Sequence, residues 1–318
     1  MGLLSCFSSC LGRGDHADET YGGHGSPQAA TTVEEGSESK AKHNDRKSSR
    51  LSKYSTKGRH VVESPAKIGA FNVRRFGKAK MRDAEVVRIL KHIVLRYDVL
   101  LLQEIVDSSG DAVQELLDAV NDGEDVYGLE VSPRLGRNKA KEQYAFFYRK
   151  ERFALGRSKT YDDPDDVFER EPFAAQFTTN CVVGGSGDDA DAGGGETDVV
   201  FLGIHTQPSR AMAEIEALAD ASVWARKAFR SKNQIILGDF NAGGSYVNKG
   251  DLDKVALRRD RRFCWLIPDH TDTTATNTLA AYDRIVVYGD MINRVNLSSA
   301  KAFRYVHCSY MCMKCNRY

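Results

Sequence analysis

Five polar residues in this sequence could do chemistry, and each stands where an apolar, strand-like stretch ends. They are Asn72 after IGAF, Glu104 after VLLLQ, His205 after VFLGI, and Asp239 and Asn241 after IILG. A polar residue at one strand end is usually a turn former, but four strands repeating the arrangement indicate a shared site. Carboxylate and carboxamide oxygens suit a hard cation such as Mg²⁺, which binds one or two protein carboxylates and keeps several waters.

His205 adds a group that can transfer protons at neutral pH. A neighbouring carboxylate would hold its imidazole ring and favour the protonated form, and Glu142 is a candidate for that carboxylate. The alternative interpretation of His205 is a hydrogen-bonded histidine of the core.

The elements that would position these residues alternate between strand and helix patterns. The predicted strands are AKIGAFN, DVLLLQE, YAFFYR, VVFLGIH, IILGDFN and DRIVVY. Several are apolar throughout, as expected for strands buried on both faces. The stretch MRDAEVVRILKHIVLR is amphipathic, and DAVQELLDAV places Val113, Leu116, Leu117 and Val120 on one helix face. Sheets packed together with helices outside fit this order.

Composition separates a globular body from a polar arm. The 318 residues have 41% hydrophobic content, enough for one large α/β domain or two small ones. Residues 1–62 show no sustained apolar period and are predicted to be a disordered arm. Within the arm, residues 40–59 hold eight Lys or Arg and one Asp, so the net charge of +1 leaves the body mildly acidic. A polyanion would therefore be bound by a few placed cations or by metal ions.

Cysteine usage and the first residues bear on location. Five of the seven cysteines lie near the chain ends, which is no disulfide framework and favours a reducing compartment. The stretch MGLLSCFSSC lacks the features of a signal peptide, so we expect an intracellular location, the nucleus included. Gly2, Cys6 and Cys10 are candidates for acylation, which with the basic stretch would hold the chain on an anionic membrane. The alternative is an unmodified arm.

Seven ordered segments, from about residue 66 to about residue 290, resemble the deoxyribonuclease I family of the endonuclease/exonuclease/phosphatase superfamily. They are AFNVRRFGKAKM, YDVLLLQEIVDS, SPRLGRNKAKEQYAFFYR, REPFAAQF, GIHTQPSRAMAEI, LGDFNAGGSYV and WLIPDHTDTTATNTLAAYDRIVV. The resemblance implies a four-layered α/β sandwich over residues 63–300, with two packed mixed β-sheets flanked by helices. It also implies a monomeric endonuclease that hydrolyses DNA phosphodiester bonds with Mg²⁺ or Mn²⁺ and with little sequence specificity.

The resemblance also assigns residue roles. It implies that Glu104, Asn72 and Asp239 hold the metal. The implied catalytic residues are Glu142, His205, Asp239, Asn241 and Asp283, with His205 and Glu142 as the acid–base pair. The positions expected to contact the DNA backbone are Arg74, Arg137, Asn138, Arg170, Tyr246 and Thr274.

At several positions this sequence differs from the family pattern, and the expectations change there. Val106 stands where relatives carry an arginine that enters the minor groove, and Ala140 replaces a tyrosine that packs on a sugar, so groove contacts should be fewer. Gly244 and Ala280 occupy both positions of the family disulfide. The acidic stretch YDDPDDVFER could bind a structural Ca²⁺, and a solvated acidic loop is its alternative.

The end of the sequence differs most from the family. Relatives continue to a final strand led by Ser-Asp-His, whose histidine pairs with the aspartate matching Asp283, and residues 301–318 form instead a divergent Cys-containing tail. We therefore expect a C-terminally truncated family member with impaired catalysis. A zinc site formed by His307, Cys308, Cys312 and Cys315 is a further alternative, although its spacing is unusual.

Two other functions stay open. One is a non-catalytic relative that binds DNA or a protein without cutting. The other is a phosphoesterase for a different substrate, although the segments GRNKAKEQY and DTTATNT favour a nuclease.

Overall fold

The computed structural model describes residues 2–5, 65–179, 196–274 and 279–303. The strands are β1 (Gly2–Ser5), β2 (Lys67–Phe76), β3 (Val99–Ile105), β4 (Tyr127–Val131), β5 (Gln143–Arg149), β6 (Phe153–Thr160), β7 (Phe173–Thr179), β8 (Thr197–His205), β9 (Gln234–Asp239), β10 (Phe263–Trp265), β11 (Asp283–Tyr288) and β12 (Asn296–Ala302). The helices are α1 (Lys78–Met81), α2 (Ala84–Leu95), α3 (Asp111–Asn121), α4 (Ala211–Phe229), α5 (Lys249–Leu252), α6 (Ala256–Arg259) and α7 (Met291–Arg294).

The strands form two six-stranded sheets. Sheet A has the order β12-β1-β2-β3-β5-β4, and sheet B has the order β10-β11-β9-β8-β7-β6. Both sheets are mixed, because β2 and β3 are parallel in sheet A while β8 and β9 are parallel in sheet B, and antiparallel pairs adjoin them. Each of the six predicted strands and both predicted helices is present.

The side chains of sheet B alternate between two packing layers. Phe201 of β8 faces the core between the sheets, where it packs edge-on against Phe146 and Phe177. Its neighbour Leu202 faces the opposite way, in a second cluster with Leu218 and other residues of α4. Helices α2 and α3 bury their apolar faces against the first cluster. Helices therefore flank two packed sheets, and the predicted four-layered α/β sandwich is confirmed.

Local signals fix the predicted helix that lies between β2 and β3. Asp83 is its N-cap, and one oxygen of its carboxylate accepts hydrogen bonds from the backbone N–H groups of Glu85 and Val86. The buried face consists of Val86, Leu90, Ile93 and Val94.

Among the described residues, no helix is both long enough and apolar enough to cross a bilayer.

The two chain ends are only partly described. Of the predicted arm, Gly2–Ser5 forms β1, which pairs with β2 and β12, and residues 6–62 lie outside the described residues. Residues 304–318, with His307, Cys308, Cys312 and Cys315, also lie outside them, as does the zinc alternative.

A buried carboxamide joins the two sheets where the predicted site residues lie. Gln103 of β3 is fully buried; its Nε2 donates to the carbonyl oxygen of Ile204 at 2.6 Å, and its Oε1 accepts from the N–H of Asp239 at 3.1 Å. The gap that admits this side chain depends on Gly238, which has a φ of 137°. A Cβ at Gly238 would lie 2.0 Å from the oxygen of Ile204 and 2.7 Å from Nε2 of Gln103.

We expect the change Gly238→Ala to destabilise the fold by about 2 kcal/mol or more, because it combines a left-handed backbone with a clash. Chemical denaturation monitored by fluorescence measures this change. Gly243→Ala is the matched control, since its new Cβ would meet Ala281 at an ordinary 3.5 Å. Equal stability of the two variants would contradict the prediction.

Candidate active site

The ends of neighbouring strands bring the predicted residues together. In sheet B, Asp239 lies between His205 and Asp283 on one row of paired residues. From sheet A, Nδ2 of Asn72 donates to Oε1 of Glu104 at 2.8 Å and to Oδ2 of Asp239 at 3.2 Å. The Asn72 carboxamide therefore links a carboxylate of each sheet.

The donor set at this point fits a divalent cation. Because Glu104 and Asp239 share one amide donor, their carboxylates lie close together and their negative charges add. Nε2 of His205 lies 3.9 Å from Oε1 of Glu104 and 4.0 Å from Oδ2 of Asp239, too far for strong hydrogen bonds. The two carboxylates are oxygen ligands of the kind that Mg²⁺ or Mn²⁺ prefers, with water and substrate completing the shell. The Asn72 carboxamide turns its nitrogen toward them, while its Oδ1 accepts from the N–H of Arg74, so the predicted role of Asn72 as a metal ligand stays a prediction.

His205 is held from two sides. Its Nδ1 lies 2.6 Å from Oε1 of Glu142, and its backbone N–H donates to the hydroxyl of Tyr144 at 2.9 Å. Nε of Arg170 donates to the carbonyl oxygen of His205 at 3.0 Å and pairs with Glu142 at 2.9 Å. With Nδ1 bound to Glu142, the other ring nitrogen of His205 faces Glu104 and Asp239.

Electrostatics around His205 favour an ion pair with Glu142. Burial and the Arg170 guanidinium lower the pKa of His205, but the attraction of Glu142 and Asp239 outweighs them and the pKa is raised. Burial raises the pKa of Glu142, but His205 and Arg170 outweigh that effect and the pKa is lowered. The protonated imidazole is therefore stabilised near neutral pH.

Asn241 and Asp283 complete the catalytic set expected from the sequence. The N–H of Asn241 donates to Oδ1 of Asp239 at 3.0 Å, and its side-chain Nδ2 donates to the carbonyl oxygen of Thr206 at 2.9 Å. Asp283 is buried, and its backbone N–H donates to the hydroxyl of Thr273 at 3.1 Å. Both residues therefore lie beside Asp239, one through the chain and one across the sheet.

The expected DNA-contacting residues are less uniform than the catalytic set. Arg74 is exposed, and its N–H donates to Oδ1 of Asn72 at 2.8 Å. Asn138 is also exposed, and Tyr246 is 45% exposed with its ring against Tyr282. Arg74 thus lies directly beside the carboxylate cluster, through its bond to Asn72.

The other three expected contacts are already engaged within the chain. Arg170 is mostly buried against Glu142. Arg137 pairs with Asp166 at 2.9 Å, so a substrate phosphate would compete with that carboxylate. Thr274 is buried, and its hydroxyl donates to Asp272 at 2.9 Å. Their assignment to the DNA backbone stays a prediction.

Several residues that the sequence reasoning missed support the site. Gln103 and Tyr144 lie inside apolar strands, and only the structure shows that their polar atoms hold β8 and β9. Arg75 is exposed beside Arg74, and its N–H donates to Oε2 of Glu104 at 2.9 Å. In the sequence, the only sign of a role for Arg75 was its position directly after Arg74 in the stretch NVRR.

The structure accounts for one of the positions at which the sequence departs from the family. Gly244 has a φ of 57°, and a Cβ there would lie 2.8 Å from the hydroxyl of Tyr282, so glycine suits this turn. In the acidic stretch, Asp163 accepts from the N–H of Phe168 and Asp166 pairs with Arg137. Across the described ranges, no three or more His, Cys, Asp or Glu side chains form a metal-binding group. The structural Ca²⁺ therefore stays a prediction.

Comparison with known proteins identifies the family. Residues 69–298 match the model of the endonuclease/exonuclease/phosphatase family. Bovine deoxyribonuclease-1 is 38% identical over 232 residues, which cover 71% of this chain and 78% of the relative. Human deoxyribonuclease-1-like 1 is 39% identical over 240 residues, covering 74% and 75%. The chain belongs to the endonuclease/exonuclease/phosphatase family and, within it, to the deoxyribonuclease I family.

A solved structure was also found to be similar. It is an endonuclease/exonuclease/phosphatase family protein from Bacteroides thetaiotaomicron, with a TM-score of 0.46 and 16% identity, covering 70% of this chain and 80% of that one.

We expect Glu142→Gln to lower the pKa of His205, because the attraction that offsets burial and Arg170 is lost. An NMR titration of the His205 ring, assigned by comparison with His205→Asn, measures the pKa. Glu85→Gln is the control, since that exposed carboxylate pairs with Arg88 on α2. An unchanged pKa in Glu142→Gln would refute the assigned ion pair.

Proposed function

We propose that this chain is an endonuclease that hydrolyses DNA phosphodiester bonds with Mg²⁺ or Mn²⁺ and with little sequence preference. The observation that carries the proposal is that the carboxylates of Glu104 and Asp239 both bind the amide of Asn72. Beside them lies His205, whose Nδ1 is held by Glu142. The similarity to proteins named deoxyribonuclease-1 supports DNA as the substrate.

In this proposal each residue near the scissile phosphate has a separate task. Glu104 and Asp239, beside Asn72, hold the cation, which when bound polarises the phosphate and stabilises charge in the transition state. Nε2 of His205 moves the proton, and Glu142 keeps the ring oriented for that transfer. Asn241 and Arg170 are assigned to the phosphate oxygens, and the amide of Asn241 would then exchange its hydrogen bond to Thr206 for one to phosphate.

Only a few basic side chains bind the DNA in this proposal, because the body of the chain is mildly acidic. Arg74 is exposed beside the metal ligands, and Arg75 adds a second exposed guanidinium there. Neutralising few phosphates gives a weak salt dependence of binding. Val106 and Ala140 reduce contacts in the groove, which leaves contacts to the backbone as the main source of binding.

Replacing His205 with Ala should lower the rate of supercoiled plasmid cleavage about 10²–10⁴-fold, because the proton-transfer group is lost. Removing divalent metal with a chelator should abolish cleavage, and Mg²⁺ or Mn²⁺ should restore it. His92→Ala is the control, since His92 is exposed on α2. Undiminished cleavage by His205→Ala would refute the assigned role.

The same assay separates the alternatives. DNA binding without cleavage by the parent chain would favour a non-catalytic relative. Hydrolysis of another phosphoester in preference to DNA would favour the second alternative. Elution of the parent chain at the mass of one copy would support the proposed monomer.

We also propose an intracellular location with membrane contact through acylation of Gly2, Cys6 and Cys10. Each basic residue of 40–59 close to an anionic surface would add about 1 kcal/mol. Gly2→Ala combined with Cys6→Ser and Cys10→Ser should shift the chain from the membrane to the soluble fraction. An unchanged distribution would contradict the anchor.

A further inference from the structure

A buried carboxylate outside the catalytic cluster connects the two loops that surround it. Glu214, in the first turn of α4, has 0% of its surface exposed. Its Oε1 accepts from the backbone N–H of Glu169 at 3.3 Å, and its Oε2 accepts from the backbone N–H of Gln207 at 3.3 Å. Each oxygen therefore binds a different loop.

Both loops carry residues of the site. The first loop continues from Glu169 to Arg170, which binds the carbonyl oxygen of His205 and the carboxylate of Glu142. The second loop leads from His205 through Thr206, whose oxygen accepts from Asn241, to Gln207. A shift of the first loop would move Arg170, and a shift of the second would move the carbonyl oxygen of Thr206 that holds the Asn241 side chain.

We propose that Glu214 is a positioning residue of the nuclease centre, whose carboxylate fixes the loop that carries Arg170 relative to the loop that follows His205. The proposal rests on the proposed function, because it assigns a role in that reaction. Glu214 acts through these loops and is not expected to touch the substrate.

The charges around Glu214 agree with this role. Arg170 faces it from the first loop, Arg210 lies at the start of its own helix, and Tyr144 faces it from β5. Burial raises the pKa of Glu214 to about 7, against the effect of its two backbone hydrogen bonds and of both arginines. Protonation near pH 7 would convert one accepting oxygen into a hydroxyl and would weaken one of the two loop contacts.

Burying this carboxylate is unfavourable for stability. Its pKa in the folded chain lies above its usual 4.5, so folding favours the protonated form and the associated stability is lost as the pH rises from about 4.5 through 7. A side chain kept only for stability would not carry this cost above pH 7. Strongly shifted pKa values cluster at functional sites, and Glu214 lies beside the proposed one.

The test uses the full chain with Glu214→Gln, and Glu216→Gln as its matched control. Glu216 lies on the same helix and also accepts from a backbone N–H, that of Ala256, but it is exposed and contacts neither loop. At pH 8 we expect kcat/KM for DNA cleavage to fall about tenfold in Glu214→Gln, as for loss of one hydrogen bond to a charged group. At pH 6, where Glu214 is protonated in the parent, this difference should shrink toward onefold.

Hydrogen exchange gives a measurement that does not depend on catalysis. In Glu214→Gln at pH 8, exchange at the N–H groups of Glu169 and Gln207 should be about tenfold faster, while α4 and the melting temperature stay unchanged or rise. A lower melting temperature with uniformly faster exchange would overturn the proposal in favour of a purely structural role, as would parent-like exchange at both loops.

Two further outcomes distinguish failure of the Glu214 proposal from a folding defect and from failure of the proposed function. If Glu214→Gln does not fold, exchange in the parent decides: protection of these two N–H groups, corrected for intrinsic rates, should fall as the pH drops through 7, and constant protection would overturn the proposal. If the parent chain cleaves no DNA, the proposed function fails while the exchange result still decides whether Glu214 couples the loops.

Discussion

The carboxamide of Gln103 is the contact on which the geometry of the site depends. It crosses from sheet A to sheet B, donates to the carbonyl oxygen of Ile204 and accepts from the N–H of Asp239. Ile204 directly precedes His205, the last residue of β8, and Asp239 is the last residue of β9. Because both partners are buried backbone groups, losing the side chain would leave them unsatisfied at about 1–3 kcal/mol each. The relative position of Glu104 and Asp239 is thus fixed before any ligand binds.

Once the sheets are joined, the charges of the site stabilise one another. Asn72 bridges the two carboxylates, and Glu142 balances both His205 and Arg170. The acidic cluster would repel DNA if it stood alone. A divalent cation held by these carboxylates, as proposed, would reverse the local sign, so the same residues would attract phosphate once the cation is bound. Under the proposed function, this would allow a chain with a mildly acidic body to act on a polyanionic substrate.

Much of this arrangement could be predicted from the sequence, because apolar strands ending in polar residues leave a strong pattern. The strands that contain IGAF, VLLLQ and IILG are buried on both faces, and their polar ends meet as expected. Helix α4 was not predicted, since its packing face relies on small residues such as Ala221 and Ala225 against the sheet, which give a weak apolar period. The roles of Gln103 and Tyr144 were not predicted for a different reason. Each is a single polar side chain inside an apolar strand, and its hydrogen-bond partners lie on other elements.

The backbone around the site stores strain that the joined sheets must support. Arg74, Arg75, Glu104 and Asn241 have positive φ values of 49°, 53°, 60° and 48°. Left-handed conformations at non-glycine residues cost about 1 kcal/mol or more each. At Arg75 and Asn241 the strained backbone points an N–H at Glu104 and Asp239, so hydrogen bonds to these two carboxylates offset part of that cost. The strain therefore supplies backbone donors that bind Oε2 of Glu104 and Oδ1 of Asp239, while the amide of Asn72 binds the other oxygen of each carboxylate, so both carboxylates are held in a fixed orientation.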